Sequence, residues 1–102
     1  MDEMKQKAYE VVAKAVAELA EDMGFPALVN PVETTPLFGG DDGIDSLSLV
    51  RLVADIERAA AREFGKKVVL ADERAMSRRN SPFRTVGTLG ELLHERLGEA
   101  HA

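Results

Sequence analysis

Apolar residues recur with helical period in three stretches of this chain, and two aperiodic stretches separate them. Over residues 4–23, Met4, Ala8, Val12, Ala15, Val16, Leu19 and Met23 return at three- and four-residue steps and make one apolar stripe. Lys5, Lys7, Lys14, Glu18, Glu21 and Asp22 lie mostly off it. Gly24 is a C-terminal stop, and Phe25-Pro26 forces an extended exit, because a residue before proline is pushed out of the α region. Residues 46–64 carry a second stripe through Leu49, Leu52, Val53, Ile56, Ala60 and Phe64. The opposite face reads Ser48, Arg51, Asp55, Arg58 and Arg62, a spacing that lets Arg51 and Arg58 each pair with Asp55. Residues 85–97 carry a third stripe, with Val86, Leu89, Leu92, Leu93 and Leu97 inward and Gly98 as its stop. Its start is ambiguous between Thr85 as cap and Thr88-x-x-Glu91 as a capping box. Gly87 and Gly90 weaken its first turn and leave room for a neighbouring group.

The aperiodic stretches are loops with punctuation. Residues 25–45 hold Pro26, Pro31, Pro36 and three glycines. A loop of about 20 residues is long for a compact domain and needs anchors, for which Phe25, Leu28, Val29, Val32, Leu37 and Phe38 are the candidates. In residues 65–84, Val68-Val69-Leu70 suits a short extended stretch packed on the bundle. Residues 72–76 suit a short helix capped by Asp72, and residues 78–84 a basic turn anchored by Phe83. The pattern predicts an all-α fold: a small four-helix bundle with a long loop between the first and second helices and a short third helix. At 102 residues the chain is expected to be one domain, residues 1–102, with a modest core.

Composition narrows the function classes. No apolar run approaches the length of a membrane span. The first residues lead into amphipathic sequence rather than an apolar signal core, so the cytoplasm is the expected compartment. Cysteine is absent, which excludes disulfides, thiolate catalysis and cysteine metal sites. The net charge is −5, which makes a poor general binder of nucleic acid. Residues 66–84 are a basic exception, where Arg78, Arg79 and Arg84 could serve as surface or meet phosphates.

The chemistry concentrates where a loop of Gly39-Gly40-Asp41-Asp42-Gly43 runs into the second helix. Ser46 sits at that junction between Asp45 and Leu47. Either Asp45 or Ser46 can cap the helix. Alternatively, the Ser46 hydroxyl is presented for modification by a phosphate group, which a helix N-terminus favours. A calcium loop with Gly43 as its glycine would place Phe38 and Leu49 at liganding positions, so that reading fails. No Gly-x-Ser-x-Gly elbow and no base beside Ser46 support a hydrolase, and the glycine-rich loop lacks the lysine of a phosphate-binding loop.

The whole pattern resembles the acyl carrier proteins, the phosphopantetheine-binding carrier family. The resemblance runs through the leading amphipathic helix, Pro36-Leu37-Phe38 in the long loop and Asp45-Ser46-Leu47 at the helix start. It continues through Ile56-Glu57, Phe64-Gly65 at the helix end and Thr85-Val86 opening the last helix. It implies a non-catalytic carrier whose Ser46 bears a covalent 4′-phosphopantetheine arm from coenzyme A, added by a phosphopantetheinyl transferase that uses Mg²⁺. Asp45 and Leu47 would border that site. Val50, Arg51, Asp55 and Arg58 would meet partner synthase, ligase or transferase enzymes. An apolar acyl chain held as a thioester could retreat between the second and last helices, among Leu49, Val53, Ile56, Leu89 and Leu92. The expected state is a monomer serving a fatty acid, lipid or polyketide pathway. A peptidyl or aminoacyl carrier and an unmodified helical adaptor are the alternatives. The chain departs from the family in two ways. Its second helix carries three arginines and one acid on an outer face that is typically acid-rich. That helix also holds Arg58-Ala59-Ala60-Ala61-Arg62-Glu63 before Phe64, about one turn more than the common pattern. Four residues add roughly 6 Å and preserve the face.

Overall fold

The computed structural model describes residues 3–38, 44–77 and 81–99. It is all-α. Helix α1 spans Glu3–Met23, α2 Ser46–Phe64, α3 Glu73–Met76 and α4 Val86–Glu99. A 3-10 turn, Pro26–Leu28, follows α1. Among the described residues the only extended pairing is an isolated bridge between Pro36 and Thr85.

Helix α1 is the centre of the packing, with α2 and α4 both laid against it. Among the described residues no Cα of α2 comes within 8 Å of one in α4, so side chains fill the space between those helices. Ala8, Val12, Ala15, Val16 and Leu19 of the first stripe are buried, joined by Ala20. They share one core with Leu52, Val53, Ile56 and Ala60 of α2 and with Val86, Leu89, Leu92, Leu93 and Leu97 of α4. Met23 ends the first stripe but is exposed, because the chain turns away there. Gly24 takes a positive φ of 76° and donates its N–H to Ala20 O, the left-handed helix stop that glycine adopts without strain. Gly65 ends α2 in the same way, its N–H bonded to Ala61 O.

The connection after α1 is held by fewer anchors than its apolar residues suggest. Leu28, Leu37 and Ile44 are buried, and Phe25 and Phe38 pack at the edge of the core. Val29 and Val32 are exposed. Backbone bonds do the rest. Leu37 N donates to Arg84 O at 2.7 Å and Phe38 N to Phe83 O at 3.2 Å. The same segment completes the start of α4: Val86 N and Gly87 N donate to Thr35 O and Glu33 O at 3.0 and 2.8 Å. These two amides would otherwise be orphans of the helix terminus. A Cβ on Gly87 would sit 2.9 Å from Glu33 O, so the close approach requires glycine. Thr85 caps α4, its Oγ1 accepting from Thr88 N at 3.1 Å while Thr88 Oγ1 accepts from Thr85 N at 3.0 Å. The reciprocal box therefore forms one turn earlier than Thr88-x-x-Glu91. Gly98 does not stop α4, which runs on to Glu99. Lys66 Nζ donates to Leu97 O in the last turn at 3.1 Å.

Val68 and Leu70 are buried and Val69 between them is exposed, the alternation of an extended segment. Glu57 fixes that segment by accepting Leu70 N at 3.0 Å. Asp72 caps α3 through Ala75 N at 2.9 Å. The same carboxylate takes Arg96 of α4 bidentately, at 2.8 and 3.0 Å. Arg96 is only 5% exposed, and a buried guanidinium requires such a partner. Phe83 is buried as an anchor. Arg78 and Arg79 of the basic turn lie outside the described residues.

Candidate functional site

The first turn of α2 assigns separate tasks to neighbouring residues. Asp45 is extended, and its Oδ1 accepts Ser48 N at 2.7 Å. Asp45 is thus the N-cap. That amide bond, with the nearby Ser48 side chain, holds the Asp45 carboxyl below the ordinary carboxylate range. Ser46 is then the first helical residue and is exposed. Its hydroxyl makes no hydrogen bond among the described residues. Leu47 is 83% exposed and Val50 67%. Two large apolar side chains thus stand in water on one turn of α2. The glycine loop, residues 39–43, lies outside the described residues.

Ser48 departs from its expected place on the polar face. It is buried, and its Oγ has no hydrogen-bond partner. The hydroxyl lies near the Asp45 carboxylate without hydrogen-bonding geometry. The rest of that face is as the spacing predicts: Asp55 pairs with Arg58 and, at 3.5 Å, with Arg51. Arg51 also reaches across to Asp22 of α1, which keeps its guanidinium firmly charged. This contact joins the C-terminal end of α1 to the N-terminal part of α2, so the two helices run antiparallel.

Val53, Ile56, Leu89 and Leu92 are buried in the core, and Leu49 packs half-buried at its edge. They belong to one cluster shared by α2 and α4. A cavity of about 490 Å³ lies elsewhere, between α1 and α2, with Arg51, Asp55, Arg58 and Arg62 along one wall. Sequence reasoning missed its α1 wall, Lys7, Lys14 and Glu18. It also missed the Asp72–Arg96 pair, although a charged residue on an apolar stripe is a signal for a buried partner. His94 is half-buried, and His101 lies outside the described residues. No helix is long and apolar enough to cross a membrane among the described residues. In comparisons with known proteins, no family model, no curated protein and no solved structure matches the chain.

Proposed function

We propose that this chain is an acyl carrier protein whose Ser46 accepts a 4′-phosphopantetheine arm. The observation that carries the reading is the division of labour at the start of α2. Asp45 supplies the cap, so Ser46 is not needed as one and its hydroxyl stands exposed beside Leu47. The residues fit the group. An uncommitted hydroxyl provides the point of attachment, and exposed Leu47 and Val50 provide a footing for the transferase and later partners. In the attachment step the Ser46 Oγ–phosphorus bond forms as the phosphorus–oxygen bond to 3′,5′-ADP breaks. The hydroxyl proton passes to the transferase. Asp45, its carboxyl held below the ordinary range by the Ser48 amide, would contact the transferase or its Mg²⁺. When bound, the arm supplies the thiol that a cysteine-free chain lacks.

An acyl chain on that thiol would be sheltered between α2 and α4. Buried side chains fill that gap, so entry of the acyl chain requires them to be displaced from a close-packed core. Leu49, half-buried at the rim, is the first to move, followed by Val53, Ile56, Leu89 and Leu92. The partners are then acyl synthases, ligases or transferases that meet Val50, Arg51, Asp55 and Arg58, and the implied compartment is the cytoplasm.

The test is intact mass after incubation with coenzyme A, Mg²⁺ and a broad-specificity phosphopantetheinyl transferase. One added phosphopantetheine mapping to Ser46, and none on Ser46→Ala, is the expected result. A Ser46→Ala chain that is still modified would sink the assignment. Wild-type chain left unmodified by several transferases would leave a helical adaptor. Loading of an amino acid rather than an acyl group would make it a peptidyl carrier.

A further inference from the structure

We infer that residues 71–77, with α3 at their centre, form a flap over the last turns of α4 that opens as a unit while the three long helices stay folded, and that the Asp72 carboxylate is its latch. The chain is fixed on either side of the flap. Before it, Val68 and Leu70 are buried, Glu57 accepts Leu70 N at 3.0 Å, and Lys66 Nζ donates to Leu97 O at 3.1 Å. After it, Phe83 is buried and its carbonyl accepts Phe38 N, while Pro82 O accepts Thr88 Oγ1 at 2.9 Å. Between these anchors the attachment is slight. Among the described residues no Cα of α3 comes within 8 Å of one in another helix. Ala75 is the one buried side chain of α3, and Met76 beside it is exposed. A helix of 4 residues is far below the length that persists without outside support.

That support is ionic and passes mainly through one group. The Asp72 carboxylate accepts Ala75 N, which caps α3, and the same two oxygens take Arg96 of α4. Arg74 adds a pair with Glu99 at 2.6 Å and feels Glu95 as well, but an exposed pair of this kind contributes little. Arg96 is different. It is buried, its Nε has no hydrogen-bond partner, and Glu99 comes no nearer to it than 4.0 Å. Asp72 therefore supplies most of the compensation for a buried cation. With Asp72 neutral the guanidinium stands uncompensated in the core. It gains by reaching water, and the weakly held flap is what yields. Opening bares Arg96 and Ala75 at the end of α4 remote from Ser46. The start of α4 is the end tied to the α2 entry, through the backbone bonds from Ile44 to Leu37 and from Leu37 to Arg84. Arg96 lies about 15 Å further along the helix than Val86. The device does not depend on whether Ser46 carries an arm.

The experiment is native-state amide hydrogen exchange on the full chain, read as protection factors residue by residue. Asp72→Asn is the central variant, because asparagine caps a helix as well as aspartate and only the charge is lost. Protection at Ala75, Met76 and Ser77 should fall about tenfold or more, with Val12 and Val16 of α1 and the anchored Leu70 changing far less. In an Arg96→Met background, where no buried cation needs a partner, Asp72→Asn should change the same three amides by less than about threefold. Acid should act on the wild type as Asp72→Asn does. The Ala75 amide, with Arg96 and Arg74, holds the Asp72 carboxyl below its ordinary range in the closed form, so protonation favours the open one. Glu99 is the other carboxylate against this cluster, and Glu99→Gln should leave that acid response in place. Three results would overturn the inference: α3 amides without protection in the wild type, protection unchanged by Asp72→Asn, or a loss shared equally by Val12 and Val16. A full-sized effect of Asp72→Asn in the Arg96→Met background would overturn it too, by removing the latch from the Asp72–Arg96 pair.

Discussion

Glycine-to-alanine exchange at two positions of α4 should have opposite signs, and the structure sets both magnitudes. An alanine Cβ at Gly90 would lie 2.5 Å from Tyr9 Cδ1 and 2.8 Å from Cε1. Carbon atoms prefer about 3.5–4.0 Å, so the ring would have to retreat by about 1 Å. Tyr9 is planted on the central helix α1, and burial together with Glu91 and Glu33 raises the pKa of its phenol. The close atoms are ring carbons beside the Cβ stem rather than the end of a flexible chain, so moving them requires the whole side chain to shift. Overpacking of this kind costs about 1–3 kcal/mol. The better helix propensity of alanine returns about 0.5–1 kcal/mol, which leaves a net loss of up to about 2.5 kcal/mol. At Gly98 no atom lies within 4 Å of the added Cβ, and the backbone is helical. There only the gain remains, at the lower end because the last turn frays. Each kcal/mol moves the melting temperature of a domain this size by about 4–8 °C, so thermal and urea unfolding followed by circular dichroism resolve the pair. In a Tyr9→Ala background the penalty at Gly90 should vanish. If Gly90→Ala is as stable as Gly98→Ala in the wild-type background, the Tyr9–Gly90 packing described above is wrong.

Ser48→Ala removes a buried hydroxyl with no partner and should be neutral or stabilising by up to about 1 kcal/mol; a clear loss in urea midpoint would show that the hydroxyl is satisfied. Asp72→Ala strips the bidentate partner from buried Arg96 and should destabilise far more than Arg96→Met, which leaves no uncompensated charge in the core; the order of melting temperatures decides it. Asp45 and Asp72 are held below the ordinary carboxylate range by the Ser48 and Ala75 amides respectively, and Glu99 by Arg74. Folded pKa values below the unfolded ones mean their stabilisation is full above about pH 4–4.5 and is lost as pH falls through the depressed values. Urea midpoints measured from pH 7 to pH 3 should fall accordingly, and less steeply for Asp72→Asn. Asp45→Ala should lower stability more than Ser46→Ala, since Asp45 is the cap, and a reversed order by urea titration would return the cap to Ser46.

Periodicity alone determined the helices and their inward faces. A stripe of apolar side chains at three- and four-residue steps can be buried in only one way, and proline and glycine punctuate the ends through their own backbone limits. The spacing of Arg51, Asp55 and Arg58 determined their pairing for the same local reason. The tertiary structure decided whatever depends on residues distant in sequence. It turned Ser48 inward, because the rotation of α2 on the core is set by its packing on α1, whereas the cap on Asp45 is a local bond to Ser48 N. It left Met23, Val29 and Val32 in water, since apolar character does not say where the chain turns away. It carried α4 past Gly98, where the backbone stays helical. It placed Arg96 against Asp72 from 24 residues away. It also set Lys7 and Lys14 opposite Arg58 and Arg62, because antiparallel packing of α1 on α2 alone brings those stripes to one groove.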